Sequence, residues 1–169
     1  MALLIGLATA PTTAASPLRG QAATTVGTPG VVQTSATSGP LEGIDVSHWQ
    51  ASIDWTMVAA AGKAFAIIKA SEGVSYTDPY YAANHNGARA AGLRTGAYHF
   101  AQPDATPNDA ILEADHFVAV LDLLKGDLTP ALDLEVNGGL SVAALQAWVT
   151  SWLDEVTAKS GYTVLVGKA

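Results

Sequence analysis

The sequence predicts an α/β fold: parallel strands joined by helices, forming a (β/α) TIM-like barrel that is incomplete, with about five of the eight strands a full barrel needs. Three observations predict it. Short apolar runs alternate with helical stretches from residue 41 onward, the pattern of repeated βα units whose sheet is covered by helices. Four of those runs end in polar clusters, Asp45-Val-Ser-His48, Lys69-Ala-Ser-Glu72, Tyr98-His-Phe100 and Asp133-Leu-Glu135. In parallel α/β folds, functional groups gather at the carboxyl ends of the strands. No glycine-rich phosphate loop follows the first run. Ser47-His-Trp-Gln50 stands there instead, which favours a barrel over a doubly wound nucleotide-binding sheet.

The elements follow in order. A strand is expected over about 43–47. Asp54 can cap a helix running to Ala61, with Gly62 at its end. The second strand covers about 65–70. Asp78-Pro79 then reads as a cap followed by Pro at the first helical position, opening a helix to Ala91. The third strand covers about 95–100. Thr106-Pro-Asn-Asp109 resembles a capping box with Asp for Glu. Its helix carries Ile111, Leu112, Val118, Leu121 and Leu124 at helical spacing and stops at Lys125-Gly126. The fourth strand covers about 130–135, with a turn at Asn137-Gly-Gly139. A helix over 141–158 buries Val142, Leu145, Val149, Trp152 and Val156, and a fifth strand covers 162–166. Residues 41–169 fall short of the roughly 200 or more residues of a closed barrel, so strand edges and apolar surface are expected to be left uncovered.

Composition narrows the function. The chain has 169 residues, 49% hydrophobic and 14% charged, which suits one globular domain. A net charge of −7 argues against a nucleic-acid partner. There is no cysteine, so disulfides and thiolate metal sites are excluded. Met1–Ala10 is apolar but too short to span a bilayer. Small residues follow, so residues 1–23 read as a signal-like leader, although Arg19 is the first charge and the usual basic start is missing. Residues 24–40, rich in Gly, Thr, Ser, Ala and Pro, read as a flexible linker. The folded domain is expected over 41–169. Secretion, action at a cell wall and no membrane span after leader removal are the corresponding expectations.

Asp133 and Glu135 are two apart on a strand, so they share a face, with α-carbons roughly 6–7 Å apart. Two close carboxylates in a partly buried site repel. One can stay protonated as a donor while the other is charged, as glycosidic cleavage requires. The plainer alternative is a strand end whose acids hold loops. Asp45 could stabilise positive charge at the same mouth or simply bond its own turn. His48 and His99 could bind metal with the acids. The short regular His spacing of metal sites is absent, which favours hydrogen-bonding roles. Trp49 and Tyr98 are candidate sugar platforms, with core packing as the equal rival. Lys69 and Glu72 could pair with each other or hold substrate. Asp54 and Asp78 read most simply as helix caps, and Trp148 and Trp152 as packing. No G-x-S-x-G elbow occurs.

Four segments together resemble the glycoside hydrolase family 25 lysozymes, the Chalaropsis-type muramidases. They are Gly43-Ile-Asp-Val-Ser-His-Trp-Gln50, Phe65-Ala-Ile-Ile-Lys-Ala-Ser-Glu-Gly73 with Tyr76-Thr-Asp-Pro79, Gly96-Ala-Tyr-His-Phe100, and Ala131-Leu-Asp-Leu-Glu135. They stand in family order and cover about 41–160. The resemblance implies a modified (β/α) barrel that cleaves the β-1,4 bond between N-acetylmuramic acid and N-acetylglucosamine in bacterial peptidoglycan, acting as a monomer. It implies Glu135 as general acid, Asp133 as its partner, and Asp45 in the same cleft. Tyr98, His99, Lys69, Glu72 and Trp49 would contact substrate, and no metal or organic cofactor is implied. In two respects the chain departs from the family. Further strands, with another cleft aspartate and a Trp-Gln segment, are not found in 41–169, and Val166-Gly-Lys-Ala169 replaces an apolar run ending in Tyr. Two other readings remain at this stage: a cell-wall glycan-binding fragment without turnover, and a metal-dependent hydrolase built on Asp45, His48, His99 and the acid pair.

Overall fold

A computed structural model of the chain describes residues 40–167 apart from Lys125. The expected leader and most of the expected linker lie outside the described residues. The strands are β1 (Gly43–Val46), β2 (Phe65–Glu72), β3 (Tyr76–Thr77), β4 (Arg94–Phe100), β5 (Ala131–Asp133) and β6 (Leu165–Gly167). The helices are α1 (Trp55–Ala60), α2 (Tyr81–Ala90), α3 (Asp109–Val120) and α4 (Val142–Ser160). The parallel strands lie in the order β1-β2-β4-β5-β6, and β3 folds back antiparallel on β2. Each parallel strand therefore neighbours its predecessor, the arrangement of a barrel wall. Among the described residues the wall does not close. β1 pairs only with β2, and β6 only with β5, and Leu165 and Val166 stand exposed on the outer strand.

One face of the sheet carries the core. Val46, Ala66, Ile68, Ala70, Ala97 and Leu132 alternate along the strands and pack against Ala88, Ala114, Phe117, Trp148, Trp152 and Val156 from the helices. Small strand residues let the helices approach closely. His99, Phe117 and Trp152 form an aromatic triad with all three ring centroids 5.5 Å apart.

Several element boundaries differ from the expectation. β2 runs on to Glu72 and turns back through β3, a hairpin missing from the strand–helix reading. Asp78 does not cap α2, which begins at Tyr81 with Tyr80 before it. Its carboxylate is shared: Oδ1 accepts from Tyr80 N at 2.9 Å in the turn before the helix, and Oδ2 is engaged by His48. No capping box opens α3. Asn108 adopts a left-handed φ of 65° without a side-chain cap, and Asp109 accepts from the Asp104 amide and Trp148 Nε1. That helix also stops at Val120, five residues early. Residues beyond it are drawn away by tertiary bonds: Leu128 N to Thr95 O at 2.7 Å, and the Asp127 carboxylate to Thr95 Oγ1 at 2.8 Å. Its buried stripe is Ala110, Glu113, Ala114 and Phe117, while Ile111 and Leu112 are exposed. Val142 is likewise exposed, and Trp148, Trp152 and Val156 form the inner face of α4. Gly161, at φ 74°, ends α4, and the last strand starts at Leu165 rather than Tyr162.

Candidate active site

The face of the sheet opposite the core holds the polar residues. On β1, Ile44 and Val46 pack with the core, so Asp45 between them points the other way. The same parity places Lys69 between Ile68 and Ala70, and Tyr98 beside it, since the two are register partners. Phe100 pairs in register with both Glu72 and Asp133. Asp45, Lys69, Glu72, Tyr98, Phe100 and Asp133 thus share one face at the carboxyl ends of four strands.

Tyr98 reports how close the acids lie. The residue is 9% exposed, with its hydroxyl beside the Ser47 side chain. Burial first, then the negative charges of Asp133, Asp45 and Asp78, raise the phenol well above its ordinary value. It is therefore a neutral hydrogen-bond donor held among carboxylates. Asp133 is buried at the end of β5. Glu135 lies two residues beyond the strand and is exposed, a correction to the expected strand over 130–135. Just past the strand, Leu134 N donates to Gly167 O at 3.0 Å and Leu134 packs on the core.

Lys69, 5% exposed, donates to Glu72 Oε2 at 2.6 Å and lies 4.8 Å from the Phe100 ring centroid. Burial pushes the Glu72 carboxyl up, but bonds from Lys69 and Gln102 and the charges of Lys69 and His48 outweigh it, so the group sits below its ordinary range. Gln102 Nε2 reaches Glu72 Oε1 at 2.9 Å. At the rim, Trp49 is 82% exposed with its ring 4.8 Å from that of His48. The Asp78 carboxylate fixes His48, accepting from its amide and bonding its Nδ1, both at 2.9 Å. Tyr76 completes this aromatic edge, its hydroxyl 3.2 Å from the same nitrogen. Asp78, Gln102, Ser47 and Tyr76 were not singled out as site residues in the sequence. Tyr76 and Asp78 lie in a quoted motif, but nothing there signals that Asp78 orients His48.

His99 is the residue whose placement departs from the expected substrate contact. It alternates with Tyr98 and so faces the helices, 0% exposed. Its Nδ1 lies 2.8 Å from Ser71 Oγ and its Nε2 2.8 Å from Glu113 Oε2. Both ring nitrogens are used inside the protein. Burial drives the His99 imidazole down to about 3 and the Glu113 carboxyl up to about 7, so the pair is neutral. Protonated Glu113 then donates to Nε2, and the Nδ1–H donates to Ser71. Among the described residues no group of three His, Asp or Glu is placed to hold a metal ion.

The buried pair predicts a particular pH dependence of stability. Between the ordinary values of 4.5 and 6.5, the unfolded chain keeps its proton on histidine, and the folded chain keeps it on Glu113. Proton counts match, so this pair contributes no slope there. Below 4.5 the unfolded chain binds an extra proton that folded His99 resists down to about 3, so stability falls with acid. From 6.5 to about 7 the unfolded histidine is deprotonated while Glu113 still holds its proton, so stability falls with base. Thermal melts of the parent and Glu113→Gln across pH 3–8 check this. The difference isolates Glu113, raised from 4.5 to about 7, so the stability it contributes should fall as pH rises through that range, and a flat difference across it would contradict the assignment.

Comparison with known proteins follows the same residues. The profile described as Glycosyl hydrolases family 25 matches residues 44–166. Lysozyme M1 of Streptomyces globisporus is 36% identical, with 96% of this chain and 64% of that protein covered. The N,O-diacetylmuramidase of a Chalaropsis species is 38% identical over 72% of this chain and 62% of its own length. Among solved structures, the bacterial lysozyme from Streptomyces coelicolor superposes with a TM-score of 0.69 at 38% identity, covering 78% of this chain and 63% of that one. The chain spans under two thirds of the length of each of these relatives.

Proposed function

Because this chain belongs to glycosyl hydrolases family 25, we propose that it is a muramidase hydrolysing the β-1,4 bond between N-acetylmuramic acid and N-acetylglucosamine in bacterial peptidoglycan. The observation that carries this reading is the gathering of Asp45, Asp133 and neutral Tyr98 on one sheet face, with exposed Glu135 two residues beyond the end of β5. Cleavage of a glycosidic bond needs a proton for the leaving oxygen and negative charge near the developing oxocarbenium ion. Glu135 is the acid: it is exposed, so a glycan oxygen can reach it. Asp133 orients the substrate or stabilises its charge, and Asp45 adds charge from the far strand. Tyr98 donates a hydrogen bond beside the reacting sugar, while Lys69 and Glu72 offer polar contacts. Such a substrate lies outside the cell, so secretion through the leader over residues 1–23 belongs to the same reading, as does action by a monomer.

The test is analysis of soluble products after incubating the purified chain with peptidoglycan. New reducing-end N-acetylmuramic acid supports the reading, and its absence at high enzyme concentration overturns hydrolysis by this chain. Among the described residues β1 and β6 are each paired on one side, and a second reading, glycan binding without turnover, is tested by the same assay. Retained binding with no product would support it.

Trp49 gives a separate check on binding. Its exposed indole offers an apolar face to a pyranose. Trp49→Ala is expected to weaken binding of a soluble peptidoglycan fragment about tenfold, or roughly 1.4 kcal/mol, with the melting temperature unchanged because so exposed a side chain contributes little to packing. Calorimetric titration measures the first and a thermal melt the second.

A further inference from the structure

We propose that Ser71, His99 and Glu113 are positioning residues, a buried relay that fixes an irregularity in β2 and thereby sets Glu72 beside Lys69 on the glycan-facing side. The inference rests on the reading that this face receives the glycan. Its starting point is the register between β2 and β4. Ile68 pairs with Ala97 and Lys69 with Tyr98, but His99 pairs with Ser71, skipping Ala70. One extra residue in β2 inverts the alternation beyond that point. Without it, Ser71 would follow Lys69 onto the polar face and Glu72 would turn into the helix layer. With it, Ser71 faces the core, 0% exposed, and Glu72 joins Lys69.

A closed circuit holds this arrangement. Ser71 Oγ bonds His99 Nδ1 and His99 Nε2 bonds Glu113, each at 2.8 Å. Both Glu113 oxygens accept from the Gln102 amide, at 3.2 and 3.1 Å. The Gln102 side chain returns to Glu72 at 2.9 Å, next in sequence to Ser71. Gly73 N to Phe100 O at 3.2 Å closes the backbone beside it. Serine, histidine and glutamate in hydrogen-bonded series also compose a nucleophilic triad, but here the serine is sealed from solvent, so it organises the site without attacking anything.

The experiment introduces Ser71→Ala and Glu113→Gln separately into the whole chain and follows Glu72 by carboxyl-carbon NMR titration. Lys69, His48 and Gln102 lower its carboxyl directly, and Tyr76, His99 and Glu113 feel its charge. In Ser71→Ala, Glu72 is expected to titrate closer to an ordinary glutamate as Lys69 and Gln102 withdraw, and the Gly73 amide to exchange faster. On peptidoglycan, KM should rise about five- to tenfold with a smaller change in kcat, a coupling of the size usual within one network. Glu72→Gln alone should do the same, and the double variant should add nothing. An unmoved Glu72 titration in both relay variants, or strictly additive effects, would overturn the proposal. Should Ser71→Ala not fold, Glu113→Gln carries the test, read by the Glu72 titration and the Gly73 amide exchange, and an unmoved Glu72 there overturns the proposal. If the parent neither binds nor cleaves peptidoglycan, the functional reading fails, and the Glu72 titration still decides the relay.

Discussion

Glu135→Gln is expected to abolish glycan hydrolysis while leaving glycan binding intact. The substitution keeps the shape and both polar atoms of the side chain but removes the transferable proton. General acid catalysis of this kind contributes about 10²–10⁴-fold, so the product rate should fall by at least about a hundredfold. Folding should be unaffected, because the residue is exposed beyond β5 and its loss strands no buried partner. Product analysis with parent and variant, together with pull-down on insoluble peptidoglycan, separates the two effects. Parental turnover in the variant would move the acid to Asp133 or Asp45.

Gly138→Ala is expected to be among the most destabilising single-methyl additions in the chain. The residue has φ +55°, and a β-carbon built there lies 1.5 Å from the carbonyl oxygen of Pro103 and 2.7 Å from its carbon. The obstacle is backbone, and that backbone is pinned. Ala101 N donates to Asp133 O at 2.9 Å, Gln102 N to Glu113, and Asp104 N to Asp109 Oδ2 at 3.0 Å. Positive-φ strain and a displaced loop together should cost about 2–4 kcal/mol, or a melting temperature lower by roughly 10 °C. Gly139 provides the control. Its φ is +77° but nothing lies within 4 Å of a β-carbon there, so Gly139→Ala should show only the conformational strain, about 1 kcal/mol. Equal small losses at both positions would refute the clash. Because this turn follows Glu135 directly, Gly138→Ala should also disturb activity at temperatures where the protein is still folded.

The strands were legible because their burial is nearly complete on one face. Runs such as Phe65-Ala-Ile-Ile and Gly96-Ala-Tyr have few other places to go, and the polar residues at their ends mark the site. Asp45, Lys69, Glu72, Tyr98 and Asp133 could therefore be gathered from sequence onto one sheet end. What escaped was everything decided by a distant partner. Glu113 looks like a solvent-facing helical acid until His99 is known to sit opposite it, and that contact turns the helix so that Ile111 and Leu112 face outward. Asp78 before a proline has the local signature of a cap, and one oxygen does accept from Tyr80 N, but nothing local shows that the other holds a histidine from another loop. His99 itself was misplaced for a subtler reason. Adjacent residues on a strand face opposite ways, so Tyr98 and His99 could not both line a cleft, and the sequence does not say which one would. Helix ends failed where, as at Asp127, a loop carboxylate bonds a neighbouring strand and overrides local propensity.

The sequential strand order has a consequence for how the molecule assembles. Each parallel strand docks on the one synthesised just before it, so the sheet can grow in the direction of translation, with loop closures that stay short and fast. β1, β2 and β4 can lay down a core with α1 and α2 before β5 arrives. Asp45 and Asp133, the like charges that end up near Tyr98, belong to strands at opposite ends of that sequence and meet only when β5 docks. Their joint effect on the Tyr98 phenol thus enters late, when the burial behind the sheet is already in place.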